Sequence, residues 1–264
     1  MWLAFNSIIV SLTVIVSTVS FCYYLCNHGE SFPEGMNVNE ASAIRETNEK
    51  IDRLLKPGSV AVVGASNTEG KVGHIIFRNL LKHPARLYPV NPKEKEVFGF
   101  PAYPTICDLP EKADVAVICL DAGKTVQVAE ECAGLHIENI IIVAGGFGET
   151  GEEGRELERR LKALPGQYGC RVLGPNSLGV FFPENGFDTI FVEHGDQALA
   201  SGGGIAFITQ SGSVGVESLG LASNTGFGMR AFIGLGNKAD LNELDFLRYF
   251  GADDKTTCVA LYVE

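Results

Sequence analysis

Between Asn48 and Phe182 the chain alternates two hydrophobic patterns. Short unbroken apolar runs occur at 59–63, 87–90, 114–120, 139–143, 170–173 and 178–182. Such runs predict strands covered on both faces, because a strand with one wet face would alternate apolar and polar positions. Between them lie stretches at 71–82, 122–132 and 152–164 whose apolar residues recur every three or four positions, as one face of a helix requires. Strands alternating with amphipathic helices build a parallel sheet with helices on both faces. The right-handed rule for parallel crossovers makes that sheet doubly wound. The 178–182 run is read as a sixth strand of this unit.

After Pro183 the polarity is mixed as far as a run of three glycines, Gly202 to Gly204, which reads as a connector. A second alternation follows: strands at 205–209, 229–235 and 258–263, helices at 213–224 and 241–250. The expected division is 1–47 as an apolar segment and linker, 48–185 as a nucleotide-binding domain, 186–203 as the connector and 204–264 as a second α/β domain. The run at 258–263 is apolar on both sides, yet nothing follows to cover it. The second domain therefore reads as incomplete, with three strands and a thin core.

Residues 2–25 are almost wholly apolar and uncharged, long enough to span a bilayer. They lack the basic start of a secretory signal. Two readings stand: a membrane anchor over 2–25, or an upstream extension of a cytoplasmic protein whose working start is Met36. The net charge of −11 argues against a nucleic-acid surface, though a small anion can still be held by backbone N–H groups at a helix start. Seven cysteines, with no CxxC pair and several inside apolar runs, read as reduced, buried thiols.

The strongest local signal runs from Val62 through Gly64, Ala65, Ser66, Asn67, Thr68, Glu69, Gly70, Lys71 and Val72 to Gly73, between the first strand and the first helix. Gly64 suits a tight turn, and Gly70 and Gly73 suit close backbone approach. The helix start then offers free N–H groups to a phosphate. This is a Rossmann-like placement. The spacing matches neither G-x-G-x-x-G nor the Walker A loop, since Lys71 precedes Val72 rather than Ser or Thr. Where a dinucleotide site usually carries an acidic residue for the ribose, the next strand ends in Asn91, Pro92 and Lys93. A lysine there suits an additional phosphate, on NADP or on coenzyme A.

Seven segments in order carry a resemblance: SVAVVGASNTEGKVGH, YPVNPK, VICLDAGK, IIIVAGGFGE, RVLGPNSLGV, GIAFITQSGSVG and IGLGNKADLNELDFLRYF. From about Ile51 to Glu264 the chain resembles the alpha subunit of succinyl-CoA ligase and the related ADP-forming acetyl- and acyl-CoA synthetases. The resemblance implies a CoA-binding Rossmann-like domain and a flavodoxin-like second domain. It places Gly64, Ser66, Gly70, Lys71, Val72 and Gly73 on the CoA phosphates and Asn91, Pro92 and Lys93 at the adenosine end. It places Leu120, Ala144, Gly145, Gly146 and Glu149 along the pantetheine arm, and Gly174, Pro175, Asn176 and Ser177 at the thiol and acyl end. Ser211, Gly212 and Ser213 would bind the phosphate of a phosphorylated histidine, with Glu264 as that histidine's partner.

The resemblance also implies what the 264 residues lack. The phosphorylated histidine would follow Glu264, and none of His28, His74, His83, His136 and His194 matches it. The ATP-grasp unit that binds Mg-ATP or Mg-ADP is absent too, so a partner beta subunit or further C-terminal domains are expected. The chain alone is not expected to complete the reaction, and a CoA-binding or CoA-sensing module without catalysis is the alternative. A serine hydrolase at Ser211 is disfavoured, because Thr209 breaks the G-x-S-x-G frame and no histidine follows the serine. An NADP-dependent reductase leaves the LGPNSLGV segment without a role.

Overall fold

The computed structural model describes residues 13–15, 20–22, 38–192, 203–225 and 228–264. Most of the apolar 2–25 segment lies outside them. Within it, Thr13–Ile15 pairs antiparallel with Ser20–Cys22. Among the described residues no helix is long and apolar enough to cross a membrane.

The first unit is a five-stranded parallel sheet: β1 (Ser59–Val63), β2 (Arg86–Val90), β3 (Val115–Ile118), β4 (Asn139–Ile142) and β5 (Arg171–Leu173). Its order is β2-β1-β3-β4-β5, with every pair parallel. β1, β3 and β4 are buried at every position, as the unbroken apolar runs predict. Helices α2 (Val72–Leu80), α3 (Ala122–Gly134) and α4 (Glu152–Tyr168) connect β1 to β2, β3 to β4 and β4 to β5.

Helix α1 (Val38–Leu55) precedes this sheet, and its first half occupies what reads in sequence as linker. Its signal was present. Ile44, Thr47, Ile51, Leu54 and Leu55 recur at helical spacing, and Ile51, Leu54 and Leu55 are fully buried.

Among the described residues the second unit holds five strands rather than three. β8 (Ile205–Thr209), β9 (Met229–Gly234) and β10 (Cys258–Tyr262) lie where the apolar runs predict, linked by α5 (Gly212–Thr225) and α6 (Glu243–Gly251). β6 (Val180–Phe182) and β7 (Phe187–Asp188) complete a sheet of order β7-β6-β9-β8-β10. The 178–182 run, expected in the first sheet, thus pairs antiparallel with β9 in the second. The turn between β5 and β6 lets the chain change direction there. Gly174 and Gly179 sit at φ +100° and +109°, and a side chain at Gly179 would strike the Thr189 carbonyl. The chain therefore leaves the first sheet there.

One apolar core joins the two units. Ile51, Leu54 and Leu55 of α1 and Val60 and Val62 of β1 share it with Phe182, Ile208, Phe246 and Phe250. Tyr249 Oη donates to Asp52 (2.7 Å), and Arg171 Nε donates to Asp240 (2.8 Å), tying the units at their seam.

Of the cysteines described with side chains, Cys132 and Cys170 are buried, whereas Cys107 is exposed. Cys107 thus departs from the expectation of buried thiols, because it sits in a surface turn after β2 rather than in a strand.

Candidate functional site

In an open α/β sheet the loops beyond the strand C-termini diverge where the strand order reverses, and a crevice opens there. In the first sheet that point lies between β1 and β3. Every residue singled out in the first domain lies beyond the C-terminal end of β1, β2, β3, β4 or β5, on the following loop or, for Val72 and Gly73, at the start of α2.

The loop after β1 is shaped by its glycines. Gly64 has φ +91°, its N–H donates to the Val90 carbonyl (2.8 Å), and an added Cβ would stand 2.8 Å from the Cys119 carbonyl oxygen and 3.1 Å from Leu120 Cδ2. The loops after β1 and β3 therefore touch at Gly64 and Leu120. Gly73 is tighter still: a Cβ there would lie 2.0 Å from the Gly64 carbonyl oxygen, so the start of α2 rests directly on the turn. Gly70 has φ +79° and faces open space. Ser66 is buried, and its Oγ accepts from Thr68 N–H (3.1 Å), so its hydroxyl shapes the loop. No side chain caps α2 at Lys71. The positive end of the helix is left to whatever enters the crevice.

Asn91 joins the next loop to the first. Its Nδ2 donates to the Ala65 carbonyl (2.7 Å) and its Oδ1 accepts from Lys93 N–H (2.9 Å). Pro92 and Lys93 are exposed beyond it. Asn67 makes a second tie, donating to the Glu96 carbonyl (2.8 Å) and accepting from Phe98 N–H (3.1 Å). His74 is buried against Phe98. Its Nδ1 lies 3.2 Å from the Ser66 carbonyl, which only accepts, so Nδ1 carries the proton. His74 is thus a fixture of the loop.

The loops after β4 and β5 meet the turn after β9. Ala144, Gly145 and Gly146 follow β4, and Glu149 folds back so that its Oε1 accepts from Gly146 N–H (2.6 Å) and Phe147 N–H (3.2 Å). Asn176 sits at φ +58°, and its N–H donates to the Ala144 carbonyl (2.8 Å). Ser177 is fully buried. Its hydroxyl donates to the Gly234 carbonyl (2.5 Å) and accepts from Gly179 N–H (3.0 Å), so its proton is committed to the fold. Gly236 (φ +61°) packs on this loop: a Cβ there would lie 2.1 Å from the Pro175 carbonyl oxygen.

Two residues of this cluster carried no role in sequence, Glu158 and Asn237. Asn237 Nδ2 donates to Glu149 Oε2 (2.7 Å). Burial raises the Glu149 pKa, but the Asn237 amide and the backbone N–H groups outweigh it and hold the carboxyl below its usual range. Glu158 is likewise held low, with Lys162, Asn237 and Gly148 N–H outweighing desolvation. Asn237 stands inside the IGLGNKADLNELDFLRYF segment, but an asparagine after a glycine reads only as a turn residue.

In the second sheet the strand order turns at β8, which pairs in parallel with β9 on one side and β10 on the other. Ser211, Gly212 and Ser213 lie at that point. Thr209 Oγ1 donates to the Ser211 carbonyl (2.9 Å), the Ser211 and Ser213 hydroxyls are 3.2 Å apart, and Gly212 and Ser213 are exposed at the start of α5. Glu264, beyond β10, donates its N–H to Gln210 Oε1 (3.1 Å) and is itself exposed. The structure therefore brings Glu264 to the serine loop through neighbouring strands.

Residues 58–183 match the family described as CoA binding domain, and residues 202–264 match the succinyl-CoA ligase like flavodoxin domain. Acetate–CoA ligase (ADP-forming) I of Archaeoglobus fulgidus is 39% identical over 214 residues, covering 81% of this chain and 31% of that protein. The alpha subunit of acetate–CoA ligase (ADP-forming) I of Pyrococcus furiosus is 36% identical over 220 residues, covering 81% of this chain and 47% of the subunit. The dinucleotide-forming acetyl-coenzyme A synthetase 1 of Ca. Korarchaeum cryptofilum, solved in complex with phosphate and ADP, aligns with a TM-score of 0.76 at 35% identity over 81% of this chain and 45% of its own. The chain spans between about a third and a half of the length of these relatives. It belongs to the family of the succinyl-CoA ligase alpha subunit and the ADP-forming acetyl- and acyl-CoA synthetases, and carries the CoA-binding domain followed by the flavodoxin-like ligase domain.

Proposed function

We propose that this chain supplies the CoA pocket and one wall of the phosphate site of a nucleoside-diphosphate-forming acid–CoA ligase. In this reading the loop from Gly64 to Gly73 and the uncapped start of α2 hold the CoA phosphates. Lys93 holds the 3′-phosphate at the adenosine end, beside Asn91 and Pro92. The thiol-bearing arm runs past Leu120, Ala144, Gly145, Gly146 and Glu149 toward Asn176 and Ser177. Ser211, Gly212 and Ser213 hold a phosphate, with Glu264 orienting a phosphorylated histidine.

The reaction would convert an acyl-CoA, inorganic phosphate and a nucleoside diphosphate into the free acid, CoA and the triphosphate. Phosphate oxygen attacks the thioester carbonyl and the CoA thiolate leaves. The acyl phosphate then passes its phosphoryl group to histidine, and histidine passes it to the diphosphate. The histidine, the ATP-grasp unit and its magnesium-bound nucleotide would lie on a further segment or a partner beta subunit. A cytoplasmic location fits these ligands.

The observation that carries the reading is the joining of loops at the strand C-termini: Asn91 Nδ2 donates to the Ala65 carbonyl of the glycine loop, and that loop touches Leu120 at Gly64. Calorimetric titration tests it. CoA is expected to bind and NADPH is not; NADPH binding without a CoA response would overturn the reading. Lys93→Ala is expected to weaken CoA by roughly tenfold, as loss of a charge-assisted contact does, and to leave dephospho-CoA nearly unchanged. Equal losses for both would remove Lys93 from the 3′-phosphate.

A further inference from the structure

The turn after β9 reaches the glycine turn of the first unit through the Asn237 side chain. Asn237 Nδ2 donates to Glu149 Oε2 (2.7 Å) and lies 3.1 Å from Glu158 Oε2, and its Oδ1 lies 3.4 Å from Asn176 Nδ2. Each carboxylate in turn holds backbone of the glycine turn: Glu149 Oε1 holds Gly146 and Phe147 N–H, and Glu158 Oε2 holds Gly148 N–H (3.1 Å). A methyl at Gly145 would stand 3.2 Å from both Glu149 Oε1 and Asn176 Oδ1, so these two groups flank the same glycine. The turn that delivers Asn237 is itself fixed, because Asn237 N–H donates to the Pro175 carbonyl (2.8 Å). A carboxamide suits this place chemically. Two carboxylates converge on it and need N–H donors, and an amide offers two without adding charge.

We propose that Asn237, contributed by the second unit, is a positioning residue for the thiol-bearing arm of CoA. By donating to Glu149 and Glu158 together, and accepting from Asn176 Nδ2, it sets the 145–149 turn and the Asn176 side chain in the shape the arm meets. This inference rests on the CoA reading above. It adds to that reading a residue outside the CoA-binding unit on which affinity for the arm, but not for the nucleotide end, depends.

The test uses the full chain and two ligands: CoA, and adenosine 3′,5′-bisphosphate, which lacks the arm. Asn237→Asp places a third carboxylate against Glu149 and Glu158, with Lys162 (2.8 Å from Glu158) the nearby cation on α4 and Lys238, paired to Glu243, beside it on the turn. Asn237→Asp is expected to weaken CoA by roughly tenfold or more, as loss of a hydrogen bond to a charged group does, and to leave the bisphosphate unchanged. Its CoA affinity should recover between about pH 8 and about pH 5, as the crowded carboxylates share a proton, while the wild type shows no such recovery. Asn237→Ala should lose CoA selectively without the recovery. Equal losses for both ligands in both variants, or unchanged CoA binding, would overturn the proposal. Wild-type chain that binds the bisphosphate but not CoA would overturn it as well, and wild-type chain that binds neither would bring down the CoA reading itself.

Discussion

Gly73 and Gly70 stand three residues apart in one loop, yet an added methyl meets opposite conditions at each. At Gly73 it would lie 2.0 Å from the Gly64 carbonyl, and relief requires moving backbone that the Gly64–Val90 hydrogen bond holds. Gly73→Ala is expected to cost about 3 kcal/mol in urea unfolding, the upper range for overpacking. At Gly70 the space is open and only the positive φ opposes a side chain, so Gly70→Ala should cost about 1 kcal/mol. The reverse ranking would contradict the packing of α2 on the turn. His83 illustrates a different residue-scale effect. It is buried on Phe187, its Nδ1 accepts from Ala85 N–H (3.0 Å), and burial lowers its pKa below the usual 6.5. The folded state therefore binds its proton less readily than the unfolded chain. The stability His83 contributes is present above pH 6.5 and is lost as pH falls through its folded pKa. His83→Phe should flatten stability between about pH 6.5 and about pH 5 in parallel denaturation curves.

At the scale of elements, β9 carries a buried cation in the middle of its sheet. Arg230 is 6% exposed. Its Nε donates to Asp253 (2.6 Å) beyond α6, another nitrogen contacts Glu184 beyond β6, and its guanidinium lies 4.6 Å from the Phe182 ring. One side chain thus joins three elements of the second sheet, and Lys255 supports Glu184 from outside (2.9 Å). Removing Arg230 leaves the largely buried Asp253 without a cation, while Glu184 keeps Lys255. Arg230→Ala is therefore expected to cost about 3–5 kcal/mol in chemical denaturation. A loss below about 1 kcal/mol would mean that water reaches Asp253 and that the cluster contributes as a surface pair does.

At the scale of the whole molecule, the two sheets share a core that includes Leu55, Phe182, Phe246 and Phe250. Cooperative unfolding follows from such sharing, since neither unit can open without exposing the other's apolar surface. Thermal unfolding is expected as one transition in which CoA, where bound, raises the midpoint for the whole chain. Two resolved transitions would contradict the shared core. Acid should destabilise the molecule as a unit as well. Glu149, Glu158 and Asp253 each pay a desolvation penalty that their hydrogen-bond partners outweigh, and the Lys255 and Arg230 hydrogen bonds lower Glu184; all four folded pKa values lie below the usual ones. Their contributions are present above the ordinary carboxylate range and disappear as pH falls through the depressed values.

Local patterning by itself determined most of the strands and helices. Unbroken apolar runs located β1, β3, β4, β8, β9 and β10 almost to the residue; β1, β3, β4 and β9 are buried at every position, as a strand covered on both faces must be, whereas β8 and the edge strand β10 mix buried and half-buried positions. The glycine loop was legible because a turn needing positive φ or close approach admits few residue types. Helix α1 was missed, its first half being read as linker, although Ile44, Ile51 and Leu55 recur at helical spacing. Tertiary structure alone decided what depends on distant partners. A three-residue apolar run such as Val180–Phe182 carries no information about which sheet receives it, since pairing is set by hydrogen bonds to strands far away in sequence. Asn237 has the same character. Its role comes from Glu149, Glu158 and Asn176, which lie between about 60 and 90 residues earlier and reach it only once both sheets have formed.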